Sequence, residues 1–349
     1  ERKEVTNMME TIYWHVTEDN HKQTEAIKQA AQLLKQGQTV AFPTETVYGL
    51  GADATNEHAV KKIFKAKGRP QDNPLIAHVA TKKQLVDIVD NYKPYVDKLI
   101  DAFSPGPITY ILPSNGTCAA NVTAGLDTVG VRIPNHPVAL KLLQKANIPV
   151  AAPSANISGK PSPTTAKHVW EDLNGKIAGI VDGGLTGVGV ESTVLDCTED
   201  IPVILRPGGI SQEELEQVIG PVKIDPALKE KQSKPKAPGM KYKHYTPEVP
   251  LWLVDGSIDT LNEIVAKAQK DGNRVAVLIK TDDVAQIKTD QYYLLGNSLQ
   301  EIAQHLYDAL RTFKKEDTDI IICQTVPEKG IGQAIMNRLK KAAHKIISS

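Results

Sequence analysis

Hydrophobic positions along this chain follow two alternating rhythms, one near 3.6 residues and one near two, and their succession predicts an α/β protein. Residues 24–36 place Ile27, Ala30, Ala31 and Leu34 on one side of a helix, and residues 38–42, QTVAF, follow as a short buried strand. That strand is expected to break into a loop, FPTETVYGLGADA, dense in hydroxyls (Thr44, Thr46, Tyr48) and glycines (Gly49, Gly51). Helical spacing returns over 57–64, and an apolar strand, LIAHV, carries His78. Residues 82–89 and 94–103 are amphipathic, with Leu85, Val86, Ile88, Val89 and Val96, Leu99, Ile100 on their apolar sides. Strands are then predicted at 104–114, 127–134, 148–153, 177–182 and within 184–196, with helices at 136–146 and 164–172.

From about residue 219 to 250 the periodicity stops, and a Lys/Pro-rich stretch reads as a linker held extended by its prolines. Beyond it, strands at 249–254, 275–279, 292–295 and 319–323 alternate with helices at 260–269, 299–311 and 331–347. The expected organisation is a first domain over 12–220, a linker over 221–248, and a smaller Rossmann-like α/β domain over 249–349. A chain of 349 residues suits two domains at roughly 150 residues each.

Composition narrows the function classes. A formal net charge of zero and 5% aromatic residues count against a general nucleic-acid coat. Cys118, Cys197 and Cys323 lie far apart with no CxxC pair, so neither a disulfide framework nor a structural zinc site is indicated. The first residues mix charges of both signs, and no long apolar window occurs, so a cytoplasmic protein that neither enters nor spans a membrane is expected.

Candidate chemistry concentrates at Lys67-Gly68-Arg69-Pro70, where Gly68 and Pro70 end the preceding helix. A point charge and a planar fork of donors two residues apart suit an anion with several oxygens, such as a polyphosphate. Arg132 ends an apolar strand and either snorkels outward or faces the site to bind a carboxylate. Ser154 and Asn156 sit where strand IPVAAP leaves the sheet, a ligand position in open α/β sheets as well as a place for turn formers. Ser192 and Thr193 follow a glycine-rich turn, and Arg206 stands beside Gly208 and Gly209. There is no P-loop, no HExxH and no GxSxG, and Gly330-Ile331-Gly332 lacks the third glycine of a dinucleotide fingerprint. No protein metal site is expected.

PTETVYGL, KGRPxxNPL, Ser154-Ala155-Asn156 and Glu191-Ser192-Thr193-Val194 occur in that order, and over about residues 20–220 the chain resembles the YrdC-like domain of threonylcarbamoyl-AMP synthases. The family's KxR and SxN pairs match as Lys67/Arg69 and Ser154/Asn156, and the C-terminal extension resembles the two-domain form. The resemblance implies a YrdC-like twisted open sheet with helices. It also implies an L-threonylcarbamoyladenylate synthase, making threonylcarbamoyl-AMP and pyrophosphate from L-threonine, bicarbonate and ATP with Mg2+, and holding no tightly bound organic cofactor. The product would pass to a tRNA threonylcarbamoyl-transferase complex for N6-threonylcarbamoyladenosine at position 37 of tRNAs reading codons that begin with A. Lys67 and Arg69 would be catalytic; Arg69, Asn73, Thr128, Ser154, Asn156, Thr164, Arg206 and Tyr245 would hold ATP; Thr44, Thr46, His78, Arg132, Ser154 and Ser192 would hold L-threonine. The HYxP stretch at 244–247, within the cluster of rings at 238–247, would fold over the nucleotide as a lid, or else pack only on the second domain. Direct tRNA binding by a basic concave face and a nicotinamide oxidoreductase based on the C-terminal unit stay open as other classes.

Overall fold

Helix starts in this chain are set by side chains that accept backbone N–H groups. Asn20, Asn56, Thr81, Thr165, Ser211, Ser257 and Ser298 each cap the helix that follows, and Ser211 and Ser298 do so within reciprocal capping boxes. The computed structural model describes residues 9–228 and 243–349. Residues 229–242, half of the expected linker and including residues 238–242 of the expected lid, lie outside the described residues.

The first sheet is mixed and twisted. From edge to edge its strands are Ile12–His15, Gly179–Asp182, Val40–Pro43, Tyr48–Asp53, Val150–Ala151, Ile76–His78, Thr128–Arg132, Ile108–Pro113, Thr193–Asp196, Val203–Arg206 and Lys223–Ile224. Alternation along the strands feeds two cores. Val40 and Phe42 pack with Ala30, Leu34 and Leu142 from helices His21–Lys35 and Pro137–Ala146. Ala41 and Leu50 pack with Ile63, Leu85 and Leu99 from the helices on the other face. The second sheet is parallel, in the order Gln291–Leu294, Val275–Ile279, Ile320–Gln324, Leu251–Asp255, Lys345–Ser348. Its helices lie over three inner strands buried on both faces, the arrangement of a Rossmann-like unit.

Several local expectations change. Tyr48–Asp53 is a strand, not loop: it returns antiparallel on Val40–Pro43, so the loop shrinks to the turn holding Thr44 and Thr46. Gly51 permits this, because a Cβ there would stand 2.7 Å from Val150 Cγ1. The last helix stops at Ala342, and residues 345–348 form an edge strand on Leu251–Asp255. Helix Gln212–Ile219 and strand Val203–Arg206 were not foreseen, and the first sheet continues to Ile224. Among the described residues no helix is long and apolar enough to cross a membrane.

The two domains are joined by helix Leu299–Thr312. Gln304, Tyr307, Asp308 and Arg311 fall at i, i+3, i+4 and i+7 and meet the first domain along one face. Gln304 donates to the Thr186 carbonyl, Tyr307 to Glu191 at 2.6 Å, and Arg311 forks onto Asp172 at 3.0 and 2.9 Å. His168 Nδ1 accepts the Thr164 N–H, which leaves Nε2 to donate to Asp308 at 2.8 Å. Gly189 lets the backbones touch: with φ +86°, a Cβ there would lie 2.4 Å from the Ala303 carbonyl oxygen. Val47 and Val190 enter the same apolar cluster as Leu306, Tyr307 and Leu310.

This interface is acid-sensitive in a stated direction. Burial favours the neutral acid at Glu191 and Asp172, but Arg338, then Arg206, hold Glu191 down to about 2, and Arg311 holds Asp172 below its usual value. The His168 bond lowers Asp308 likewise. Depressed carboxylate pKa values supply stability above the unfolded-state pKa that is lost as pH falls through the folded one. Glu191 alone, moved from 4.5 to about 2, accounts for about 3 kcal/mol. Scattering should therefore give an unchanged radius of gyration down to about pH 4.5 and an expanding one between there and about pH 2. Domains still docked at pH 2 would contradict it.

Candidate active site

Strand register brings the candidate residues together. His78 and Arg132 are direct neighbours on parallel strands, and Ser154 bridges to Gly49 across the sheet. His78, Arg132 and Arg206 each close the carboxyl end of a strand, where open α/β sheets place ligands. The loop 207–209 reaches Ser192 only because Gly208 lacks a side chain: a Cβ there would sit 2.2 Å from the Thr193 nitrogen. The result is a cavity of about 670 Å3, counting its mouth, lined by Thr44, Thr46, Arg69, His78, Arg132, Ser154, Asn156, Ser192, Arg206 and Tyr245, all from the expected set. Val47, Lys160, Ser162, Glu191 and His244 also line it, with Gly49, Ile76, Ala152 and Pro153.

Arg132 is 4% exposed and faces inward, so it does not snorkel. Its Nη1 donates to Thr46 Oγ1 at 3.0 Å, its Nε to the Gly106 carbonyl, and its Nη2 pairs closely with Glu45. Glu45 also accepts the Asn135 N–H at 2.6 Å, so the guanidinium is held in one orientation. Thr44 and Thr46 share a 2.9 Å hydroxyl contact. Burial, then the Arg132 charge, pushes the His78 imidazole down to about 3. Its Nδ1 lies 3.0 Å from the Ile76 carbonyl, which only accepts, so the neutral ring carries its proton there and leaves Nε2 as an acceptor. Ser192 Oγ touches Thr109 Oγ1 at 2.8 Å and accepts from Arg206 Nη2 at 3.2 Å.

Lys67 and Arg69 part company. Gly68, at φ +64°, ends helix Glu57–Lys67 in the left-handed conformation and turns the chain. Arg69 enters the cavity wall, its Nη2 donating to the Pro74 carbonyl at 2.9 Å. Lys67 does not line the cavity. Its ammonium, 2% exposed, points under the wall onto the Ser154 carbonyl, the Asn156 carbonyl at 2.7 Å and Asn156 Oδ1 at 3.5 Å. Burial, then Arg69, pushes its pKa well down, while three oxygens match the three N–H groups of the charged form. Lys67 thus pins the Ser154–Asn156 turn, and its own carbonyl accepts the Ser158 N–H.

Three other expected residues stand off the cavity. Asn73 is buried and its carbonyl accepts from Arg69. Thr164 lies behind the wall, its N–H on His168. Thr128 borders a separate small apolar cleft with Leu75, Ile76, Val122 and Leu126, and Ile76 lines both spaces. Lys243–Pro247, the described part of the expected lid, closes one side. Burial, then Lys341 and Arg69, pushes His244 down to about 3. Tyr245, at φ +61° and 3% exposed, stacks on Tyr307 at 5.4 Å, so it both walls the cavity and packs on the second domain. Glu45 and Glu191 had no expected role; an acid directly beside hydroxyl residues, in PTET and ESTV, was the available sign. Among the described residues no group of three His, Cys, Asp or Glu side chains could hold a metal. Gly332 opens the last helix because a Cβ there would meet the Pro327 carbonyl oxygen at 1.9 Å, which is a packing role.

Fold and site define a two-domain α/β enzyme with one cavity lined by buried arginines and hydroxyl side chains. A family model described as "Telomere recombination" matches residues 32–208, and one described as "Threonylcarbamoyl-AMP synthase, C-terminal domain" matches 210–344. The chain belongs to the threonylcarbamoyl-AMP synthase family, enzymes that make an adenylate. It is 50% identical over 340 residues to a threonylcarbamoyl-AMP synthase of Bacillus subtilis (strain 168), covering 96% of this chain and 98% of the relative. A threonylcarbamoyl-AMP synthase of Pyrococcus abyssi is 49% identical over 322 residues, 91% of this chain and 94% of the relative. The crystal structure of P. abyssi Sua5 complexed with L-threonine superposes with a TM-score of 0.92 at 47% identity, covering 97% of this chain and all of that one.

Proposed function

We propose that this chain makes L-threonylcarbamoyladenylate and pyrophosphate from L-threonine, bicarbonate and ATP. The observation that carries the reading is the gathering of buried Arg69, Arg132 and Arg206 with Thr44, Thr46, Ser154 and Ser192 around one cavity. The oriented Arg132 fork and Thr46 suit the threonine carboxylate, while neutral His78 and Ser192 suit its hydroxyl and amine. The amine takes up bicarbonate with loss of water, and an oxygen of the resulting carbamate attacks the α-phosphorus of ATP. The bond to the β-phosphate oxygen breaks and pyrophosphate leaves with its electrons. Arg69 and Arg206 face the charge that grows on that leaving group, and Asn156 and Ser154 hold the phosphates in line. Asn73 and Thr164 support the walls from behind. Magnesium enters bound to the triphosphate as part of the substrate; the carboxylate in the cavity wall, Glu191, is already engaged by Arg338 and Tyr307, and Glu45 beside the cavity by Arg132.

His244 and Tyr245 exclude water from a product prone to hydrolysis and part to release it. The adenylate then passes to a tRNA threonylcarbamoyl-transferase complex, for adenosine 37 of tRNAs reading codons that begin with A. The test is pyrophosphate release from ATP with each substrate omitted in turn. Release should require threonine and bicarbonate together; release that continues without either would overturn the reading.

A further inference from the structure

Glu191 is a buried carboxylate in the wall of a cavity otherwise suited to anions, at 7% exposure. Left alone it would repel a triphosphate and draw the nearby cations to itself. Three donors from three places hold it instead: Ser162 on Oε2 at 2.8 Å, and from the second domain Tyr307 and Arg338 on Oε1 at 2.6 and 3.1 Å. Arg338 has no surface exposure and lies outside the cavity. Its Nη1 donates to the Pro207 carbonyl at 2.5 Å, so the guanidinium spans Glu191 and the loop that follows Arg206. Arg206 donates to the Ser192 carbonyl and hydroxyl, and no ion pair joins it to Glu191 among the described residues. One anion thus stands between two arginines, with the second domain's arginine paired to it.

We propose that Arg338 is a positioning residue for the nucleotide site: carried across by the second domain, it neutralises Glu191 and leaves Arg206 and Arg69 to face a polyphosphate. The proposal rests on the reading of the cavity as an ATP site. It assigns the second domain a task in the first domain's chemistry, the supply of one buried charge. Tyr307 assists by donating to the same oxygen, and its ring backs Tyr245.

The experiment is calorimetric binding of ATP and AMP to the full chain and to Arg338→Met, Glu191→Gln and the double variant, with folding checked by circular dichroism. Arg338→Met should weaken ATP by about tenfold or more and AMP, which carries less charge, distinctly less. In the Glu191→Gln background the same change should cost less than about twofold, because the anion it answers is gone. Equal losses for ATP and AMP, or the same ATP loss in both backgrounds, would overturn the proposal. If Arg338→Met does not fold, Tyr307→Phe takes its place: it withdraws one donor, keeps the ring, and should show the same dependence on Glu191 with a loss of roughly two- to fivefold. An unmodified chain that binds no ATP would sink the proposed function and this inference with it, whereas normal ATP binding with a Glu191-independent loss would sink the inference alone.

Discussion

L-Valine in place of L-threonine should be activated up to about 10⁴-fold more slowly, because a subsite built of polar groups is left with them unpaired when the hydroxyl is missing. Thr44, Thr46 and Ser192 are at most 2% exposed and His78 is 4% exposed, so these polar groups of the wall have little access to water when the substrate hydroxyl is missing. His78 matters through its protonation. A neutral ring with its proton on Nδ1 can accept from the substrate hydroxyl, and with a pKa pushed down to about 3 that state holds throughout the working pH range. L-Serine, lacking only the methyl, should be discriminated by roughly 10- to 200-fold. Threonine-dependent pyrophosphate release with each amino acid checks both ratios; equal rates for valine and threonine would show that these groups do not read the hydroxyl.

Arg69→Ala should lower ATP-to-AMP turnover by roughly 10²-fold or more, the usual scale for removing a donor aimed at charge that develops in the transition state. Arg69→Lys is the sharper comparison, since it keeps the charge but loses the fork that reaches Pro74 on one side and the cavity on the other. Lys67→Met should also fall by about 10²-fold or more, by a different route. Lys67 holds the carbonyls of Ser154 and Asn156, so its loss frees a turn that positions phosphate. The two variants should therefore part in their proteolysis patterns, with the 154–158 turn becoming cleavable only when Lys67 is replaced. Near-normal turnover in both variants would remove them from the reaction.

Local rules carried a good share of this structure. Apolar positions at 3.6-residue spacing located helices such as Glu57–Lys67 and Leu299–Thr312 within a few residues, and apolar runs located the central strands. What failed was local in a different way. Residues 345–348 continue an apolar helical spacing, but the open edge beside Leu251–Asp255 takes them as a strand, a tertiary choice no short window contains. The hydroxyl-rich stretch after Phe42 looked like loop because glycines usually interrupt strands. Here Gly51 is a strand residue that makes room for Val150.

The site shows the same limit. Residue type and spacing singled out the cations and the turns, and the family resemblance assembled most of the cavity wall, including Arg132, whose direction spacing alone left open. They could not tell that Gly68 sends Lys67 and Arg69 to opposite sides of one wall, because that depends on a single left-handed residue. Nor could they place Glu191, since charge logic looks for cations around an anionic ligand and passes over a carboxylate. Its counter-charge lies in another domain. The docking stripe of Gln304, Tyr307, Asp308 and Arg311 was invisible for a related reason: polar residues at helical spacing look the same whether they meet water or a second surface.

The joint between Glu191 and Arg338 also has a temporal side. The two residues are 147 positions apart, and at the usual pace of synthesis, ~5–20 residues per second, the second emerges roughly 7 to 30 s after the first. During that interval the first domain can close its own core with Glu191 met only by Ser162 and the nearby charge of Arg206. The nascent chain therefore holds an anion where nucleotide would enter, and the pocket takes its final charge only when the last helix has been made and has docked.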